Sequence, residues 1–219
     1  MSTSPKALIA WSSGKDSAWA LHETRIAGEF EIVGALTTVT DAFHRVSMHG
    51  VREDLLRSQV DAAGLRAVIV HIPYPCSNVV YERKMAEAMA AARASGVTHM
   101  IFGDLFLEDV RAYRERQLSG SGIAPVFPLW GRPTHDMIAA GTEAYICTID
   151  LKKLPVSFAG HRFDRALLDA LPANIDPCGE NGEFHSFVSG GPMLSCKVAV
   201  KTGETIERDG FAYTDLLPA

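Results

Sequence analysis

Long apolar runs are missing from this chain. Nothing in it approaches the ~20 residues that a bilayer-spanning helix needs, which excludes a helical membrane protein. The first apolar stretch, Ala7–Trp11, falls short of the ~7–15-residue core of a secretory signal and reads as a first strand. Cysteine is sparse: Cys76, Cys147, Cys178 and Cys196 are widely spaced and form no C-x-x-C pair. Zinc ribbons, thioredoxin-like redox motifs and disulfide scaffolds are therefore disfavoured, and thiols of a cytoplasmic protein are expected. Excess positive charge is also absent. Lys and Arg number 21 against 26 Asp and Glu, for a net charge of −5 and a pI near 5.9. That argues against a broad nucleic-acid-binding face, although a local basic site fits inside an acidic total. No low-complexity tract is present, and no internal repeat beyond a strand–helix rhythm.

What is present is an ordinary globular composition: 219 residues, 47% hydrophobic and 21% charged, which excludes general disorder. This length suits one large domain, or one with a small second lobe. Apolar runs at Lys6–Trp11, Ile32–Thr38, Leu65–Ile72 and Val97–Phe102 alternate with helical stretches ending at Gly28, Gly64 and Gly96. Val51, Leu55, Leu56 and Val60 repeat with helical period, as do Tyr81, Met85, Met89 and Ala92. Glu108–Leu118 reads as a further helix. Continuous apolar strands alternating with helices predict an α/β protein with a doubly wound parallel sheet. Ile123–Trp130 is apolar but broken by prolines, Thr134–Ala140 reads as a short helix, and Glu143–Asp150 reads as a strand completing the same sheet. From Leu151 the pattern changes to a short helix (Phe163–Leu171), a Gly-rich polar segment and short strands. The expected division is a nucleotide domain over 1–150 and a small C-terminal α+β lobe over 151–219.

In such sheets ligands bind beyond the carboxyl ends of the strands. The first such position holds Ser12-Ser13-Gly14-Lys15-Asp16-Ser17. A loop there can aim backbone N–H groups and the positive end of a helix at an anion, with Ser12 and Ser17 adding hydroxyls and Lys15 a cation. A kinase-type phosphate loop is rejected: Ile9 stands where it needs glycine, and Lys15 is followed by Asp16 rather than Ser or Thr. The hexapeptide instead resembles S-G-G-x-D-S, the pyrophosphate loop of enzymes that cleave ATP between the α and β phosphates, with Ser13 in place of the first glycine. After the fourth strand, Gly103 permits close approach to a ligand, and Asp104, Glu108, Asp109, Arg111 and Arg114 bring charge of both signs. For Arg114 and Glu115 a solvated helix face is the favoured reading. A third stretch, Gly179-Glu180-Asn181-Gly182-Glu183-Phe184-His185-Ser186, combines a tight-turn signal with Glu180, Glu183 and His185, which are suited to positioning a nucleophile or moving a proton. His22, His71, His99, His135 and His161 read as structural. His44 and His49 lack metal-ligand spacing, and no metal ligand is assigned.

With Pro128-Leu-Trp130, these stretches resemble the diphthine–ammonia ligase family of ATP-pyrophosphatase-type proteins across nearly the whole chain. The resemblance implies an adenine nucleotide alpha hydrolase-like (Rossmann-like) domain followed by a smaller domain carrying the Gly-Glu-x-Gly-Glu element. It implies ATP as co-substrate, with Mg²⁺ on the leaving pyrophosphate. Family members that make diphthamide adenylate a protein-borne carboxylate, and ammonia displaces AMP. On this reading Ser12–Ser17, Gly103 and Asp104 hold ATP, and Thr37 and Thr38 line its adenosine pocket. Arg111 binds the acid, Glu108, Asn181 and Gly182 line the substrate site, and Glu180, Glu183 and His185 orient the amine. The chain reads Glu180-Asn-Gly-Glu183 where the diphthamide-making branch has Glu-Gly-Gly-Glu. With His185, this is nearer a bacterial-type branch associated in some genomes with cobalamin metabolism. The expected partners are thus a small-molecule or protein-borne carboxylate and ammonia or an amine, with no nucleic acid and no membrane, and an oligomer is compatible. Two rivals remain at this level: a nucleotide-binding or sensing module without turnover, and a tRNA-modifying pyrophosphate-loop enzyme.

Overall fold

A computed structural model describes residues 4–133, 137 and 141–219. The first part is built on a sheet of six strands: β1 (Lys6–Ala10), β2 (Glu31–Thr40), β3 (Arg45–Val46), β4 (Ala67–Ile72), β5 (Val97–Ile101) and β6 (Ala124–Val126). Four helices connect them: α1 (Lys15–Ala27), α2 (Glu53–Ala62), α3 (Asn78–Ala94) and α4 (Glu108–Leu118). β4, β2, β1, β5 and β6 lie side by side and parallel, while the short β3 pairs antiparallel with the end of β2. The chain builds outward from β1 first through β2 and β4, then returns to the other side for β5 and β6. The order therefore reverses between β1 and β5, where ligand crevices form in open α/β sheets.

Alternation along the strands supplies two cores. Ala7, Ile9, Ala35 and Val39 face Ala18, Leu21, Leu55 and Leu56 of α1 and α2. Leu8, Leu36 and Met100 face Met89 and Ala92 of α3 and Leu118 of α4. Both faces of the parallel sheet are thus covered, which is why its strands read as continuous apolar runs.

A second, antiparallel sheet has the order β8 (Phe184–Gly190), β7 (Glu143–Asp150), β10 (Phe211–Pro218), β9 (Val200–Arg208). A short helix, α5 (Arg165–Ala170), is capped by the Asp164 carboxylate on the Leu167 N–H. Glu143–Asp150 therefore does not complete the first sheet as expected. That sheet ends at β6, three residues long and containing Pro125, which has no N–H to extend a ladder. β8 and β10 supply β7 with antiparallel partners instead. β9 and β10 are longer than the short strands expected, and Asp209-Gly210, with φ of 55° and 83°, joins them in a two-residue turn. Ile146, Phe187, Val188 and Ala212 share one apolar cluster with α1 and α2, so these helices tie the two sheets together. The short helix expected over Thr134–Ala140 lies outside the described residues, apart from Met137.

Candidate functional site

β1 ends at Ala10, and the chain turns through residues 11–14 into α1, whose N-cap is Gly14. The turn is held from outside by hydrogen bonds to β2, β8 and α2. The Trp11 N–H donates to the Leu36 carbonyl at 2.7 Å, and the Thr37 hydroxyl donates to the Trp11 carbonyl at 2.6 Å. The Val188 N–H of β8 donates to the Ser13 carbonyl at 2.9 Å. Gln59 of α2 links the three pieces: its Nε2 donates to the carbonyls of Ser13 and Val188, and its Oε1 accepts from the Trp11 indole. The Lys15 N–H donates to the Ser186 hydroxyl at 3.1 Å. The second sheet thus shapes the loop of the first.

Two positions show how tight this packing is. Ser13 adopts a φ of 70°, a left-handed conformation that strains any residue with a Cβ, and its buried hydroxyl has no hydrogen-bond partner among the described residues. At Gly103 a Cβ would fall 2.7 Å from the Asp16 carbonyl carbon and 2.9 Å from the Ser17 nitrogen. Only glycine lets the segment after β5 lie against the first turn of α1.

The cleft beyond these strand ends has a volume of about 300 Å³, at the lower end of small-molecule sites. Ser12, Asp16, Ser17, Thr37, Thr38, Gly103, Asp104, Glu180, Gly182 and His185 line it, so ten of the expected site residues are brought together from both sheets. Asp16 faces it, while the buried Lys15 ammonium turns to the Asp16 carboxylate (2.9 Å to both oxygens) and lies over Phe163 and Phe184 at 5.6 and 5.5 Å. Burial lowers its pKa, but Asp16, Cys178 and Glu180 together outweigh that and hold it above the ordinary lysine range. Lys15 therefore stays charged beneath the cleft.

Glu180 accepts the Leu105 N–H at 2.8 Å. Burial pushes its carboxyl up to about 7 against that hydrogen bond, with Asp16 and Asp104 adding like charge. Burial also raises Asp104, against the pull of Arg114, whose Nε lies 3.6 Å from Asp104 Oδ2. Burial, reinforced by the Lys15 charge, holds His185 down at about 4. Its ring packs 4.6 Å from that of His49. The His49 Nδ1 lies 3.0 Å from the Ser186 carbonyl. A carbonyl only accepts, so Nδ1 carries the proton and Nε2 the lone pair. Burial, with His185 beside it, keeps His49 well below the ordinary histidine range.

Other expected residues stand outside the cleft lining. Glu183 is buried and accepts from the Asp176 N–H and the Asn181 side chain at 3.1 and 3.2 Å. It braces the turn that presents Glu180. Asn181 is exposed, with its carbonyl on Lys153. Glu108 is exposed in the first turn of α4. Arg111 pairs with Glu115 at 3.0 Å and stacks on Phe127 and Trp130. Arg114, read from the sequence as solvated, is the α4 arginine that lines the cleft. His49, read from the sequence only as lacking metal-ligand spacing, and the polar ties made by Gln59 and Ser186 are what the sequence reading missed. Gln59 left a signal, a polar residue at a helical-period position beside Leu56 and Val60.

Among the described residues no group of three or more His, Cys, Asp or Glu side chains is arranged to hold a metal ion, and no helix is long and apolar enough to cross a membrane. A search of curated proteins finds no match. Residues 134–215 match the family model described as "Diphthamide synthase C-terminal domain". That span contains β7 to β9, most of β10, and the Glu180–Ser186 segment that closes the cleft. Over residues 134–215 the chain is therefore similar to the C-terminal domain of diphthamide synthase.

Proposed function

We propose that the chain is an ATP-dependent ligase that adenylates a carboxylate and passes the acyl group to ammonia or an amine, releasing AMP and pyrophosphate. The observation that carries this reading is the meeting of two elements across one cleft. The Ser12–Ser17 turn and the α1 N-terminus form one wall, and Glu180 and His185, from the family-matched part of the chain, form the other. A carboxylate is a poor electrophile until AMP is attached as leaving group, so the task is to align the acid with the α-phosphate and stabilise developing charge.

Ser12, Ser17 and the first-turn amides of α1 bind the phosphates. Thr38 and the Trp11–Thr37 corner line the adenosine side. Arg114, rather than the stacked Arg111, offers a guanidinium to an anionic group in the cleft. Glu180, poised near neutrality, takes the proton from the attacking amine. Mg²⁺ commonly uses one or two carboxylates together with substrate phosphates. The buried Asp104 carboxylate, whose Oδ2 is held only loosely by Arg114 at 3.6 Å, and Asp16 fit that mode, and the ion would neutralise charge on the departing pyrophosphate. The test is product analysis with ATP labelled at the α and γ phosphates, in the presence of ammonia and a panel of organic acids. AMP and pyrophosphate support the reading. ADP and phosphate refute it.

A further inference from the structure

A second cleft, also about 300 Å³, opens next to the first. It lies between the β2–β3 corner, the segment after β4 and the β9–β10 strands, and Val46 and Ser47 line both clefts. Its walls are unusual for a protein surface. Eight large apolar side chains are exposed among the described residues, and four of them, Phe43, Met48, Tyr74 and Ile206, line this one cleft. Such clustering marks a binding surface rather than scattered exposure. Phe43 and Tyr74 meet edge to face at 5.0 Å.

Arg208 lies over Phe43 and Tyr213, at 4.7 and 5.4 Å, and its side chain remains 46% exposed. The other two guanidinium groups nearby are committed: Arg45 and Arg52 both bind Asp215, at 2.9 and 2.6 Å. Arg208 hydrogen-bonds the Tyr213 phenol, and among the described residues its one carboxylate approach is a loose 3.8 Å to its chain neighbour Asp209. The cleft therefore combines aromatic faces with one cation that retains capacity for an anion.

We propose that this cleft binds the acid to be activated: a small organic carboxylate on a flat, ring-bearing body. The ring rests against Phe43 and Tyr74, Arg208 meets an anionic group at its far end, and the reacting carboxylate passes over Val46 and Ser47 toward the nucleotide. The direction of that carboxylate rests on the ligase reading above, whereas the binding itself does not. A nucleotide and a ring-bearing acid exceed one cleft of this size, and the adjoining cleft provides the second room.

The probe is 1-anilinonaphthalene-8-sulfonate, a planar aromatic anion, titrated by fluorescence into the full chain with and without saturating ATP. Tyr74→Ala and Arg208→Gln alter exposed side chains, and their urea midpoints check that folding is retained. Each variant should weaken binding by about tenfold, and ATP should leave the probe bound. Unchanged binding in both folded variants, or displacement by ATP, overturns the proposal. Aromatic mono- and dicarboxylates are then competed against the probe and assayed for AMP formation. Acids that displace it and drive AMP formation support both readings. Acids that displace it without AMP formation leave the cleft assigned and sink the ligase. AMP formation with acids that leave the probe in place keeps the ligase and sinks this assignment.

Discussion

Replacing Ser13 by glycine should stabilise the protein. Ser13 carries two costs in the native state: a φ of 70° and a hydroxyl that is buried without a hydrogen-bond partner among the described residues. The left-handed conformation costs an L-residue roughly 1–2 kcal/mol. The unsatisfied buried hydroxyl costs roughly 1–3 kcal/mol. Glycine removes both, and returns roughly 0.5–1 kcal/mol through the greater freedom of its unfolded chain. Ser13→Gly should therefore gain about 1–4.5 kcal/mol, a rise of about 2–4 °C in Tm for each kcal/mol at this chain length. Ser13→Ala separates the terms, since it deletes the hydroxyl but keeps the Cβ, and should gain less than glycine. Urea unfolding followed by the buried Trp11 and Trp19 measures both. A glycine variant no more stable than the alanine variant removes the backbone part of the argument. One less stable than wild type removes all of it. Ser13 does not line the cleft, so any change in ATP affinity in either variant reports the turn's backbone rather than a lost side-chain contact.

Gly103→Ala should have the opposite effect. Its Cβ meets the Asp16 and Ser17 backbone below 3.0 Å, and overpacking of this kind costs roughly 1–3 kcal/mol; calorimetry should show the loss together with weaker ATP binding. Glu180, raised to about 7 by burial, binds its proton more tightly folded than unfolded. Its contribution to stability is full below the ordinary glutamate range and fades as pH rises through 7. Glu180→Gln should flatten the stability profile between these limits and slow ligation, as read by unfolding midpoints and AMP release across pH. Asp215 is held below its ordinary value: burial raises it, but hydrogen bonds from Arg52 and Arg45 prevail. Its contribution is full above the ordinary aspartate range and is lost as pH falls through the depressed value. Asp215→Asn should cost roughly 1 kcal/mol at neutral pH for this partly exposed pair and reduce the acid sensitivity of unfolding.

The parallel sheet was readable because its central strands are covered on both faces and α2 carries a periodic apolar stripe. α1, α2 and α4 fall where Gly28, Gly64, the Val51–Val60 periodicity and Glu108–Leu118 place them. Glu143–Asp150 was legible as a strand but not as a member of the second sheet, because strand pattern does not name a partner. The Asp209-Gly210 turn carried a readable hairpin signal that was not taken up. Around the site, Ser12, Gly103 and Glu180 stand at strand ends or turns and Ser17 in the first turn of α1, where local rules apply. His49 and Ser186 owe their places to a meeting of elements 137 residues apart, which no local rule shows. Nor could sequence choose between Arg111 and Arg114: α4 buries only Leu118, too thin a stripe to orient the helix.

The ties at Ser13, Lys15, Gln59 and Val188 have a thermodynamic consequence. On the proposed reading the turn that would meet the phosphates is also a hinge pin between the two sheets, so whatever stiffens it stiffens their union. Occupancy of the nucleotide cleft and docking of the sheets become linked equilibria, each favouring the other by the same free energy. Hydrogen exchange should register that reciprocity: ATP should slow exchange in β8 of the second sheet along with α1, although the two are far apart in the chain.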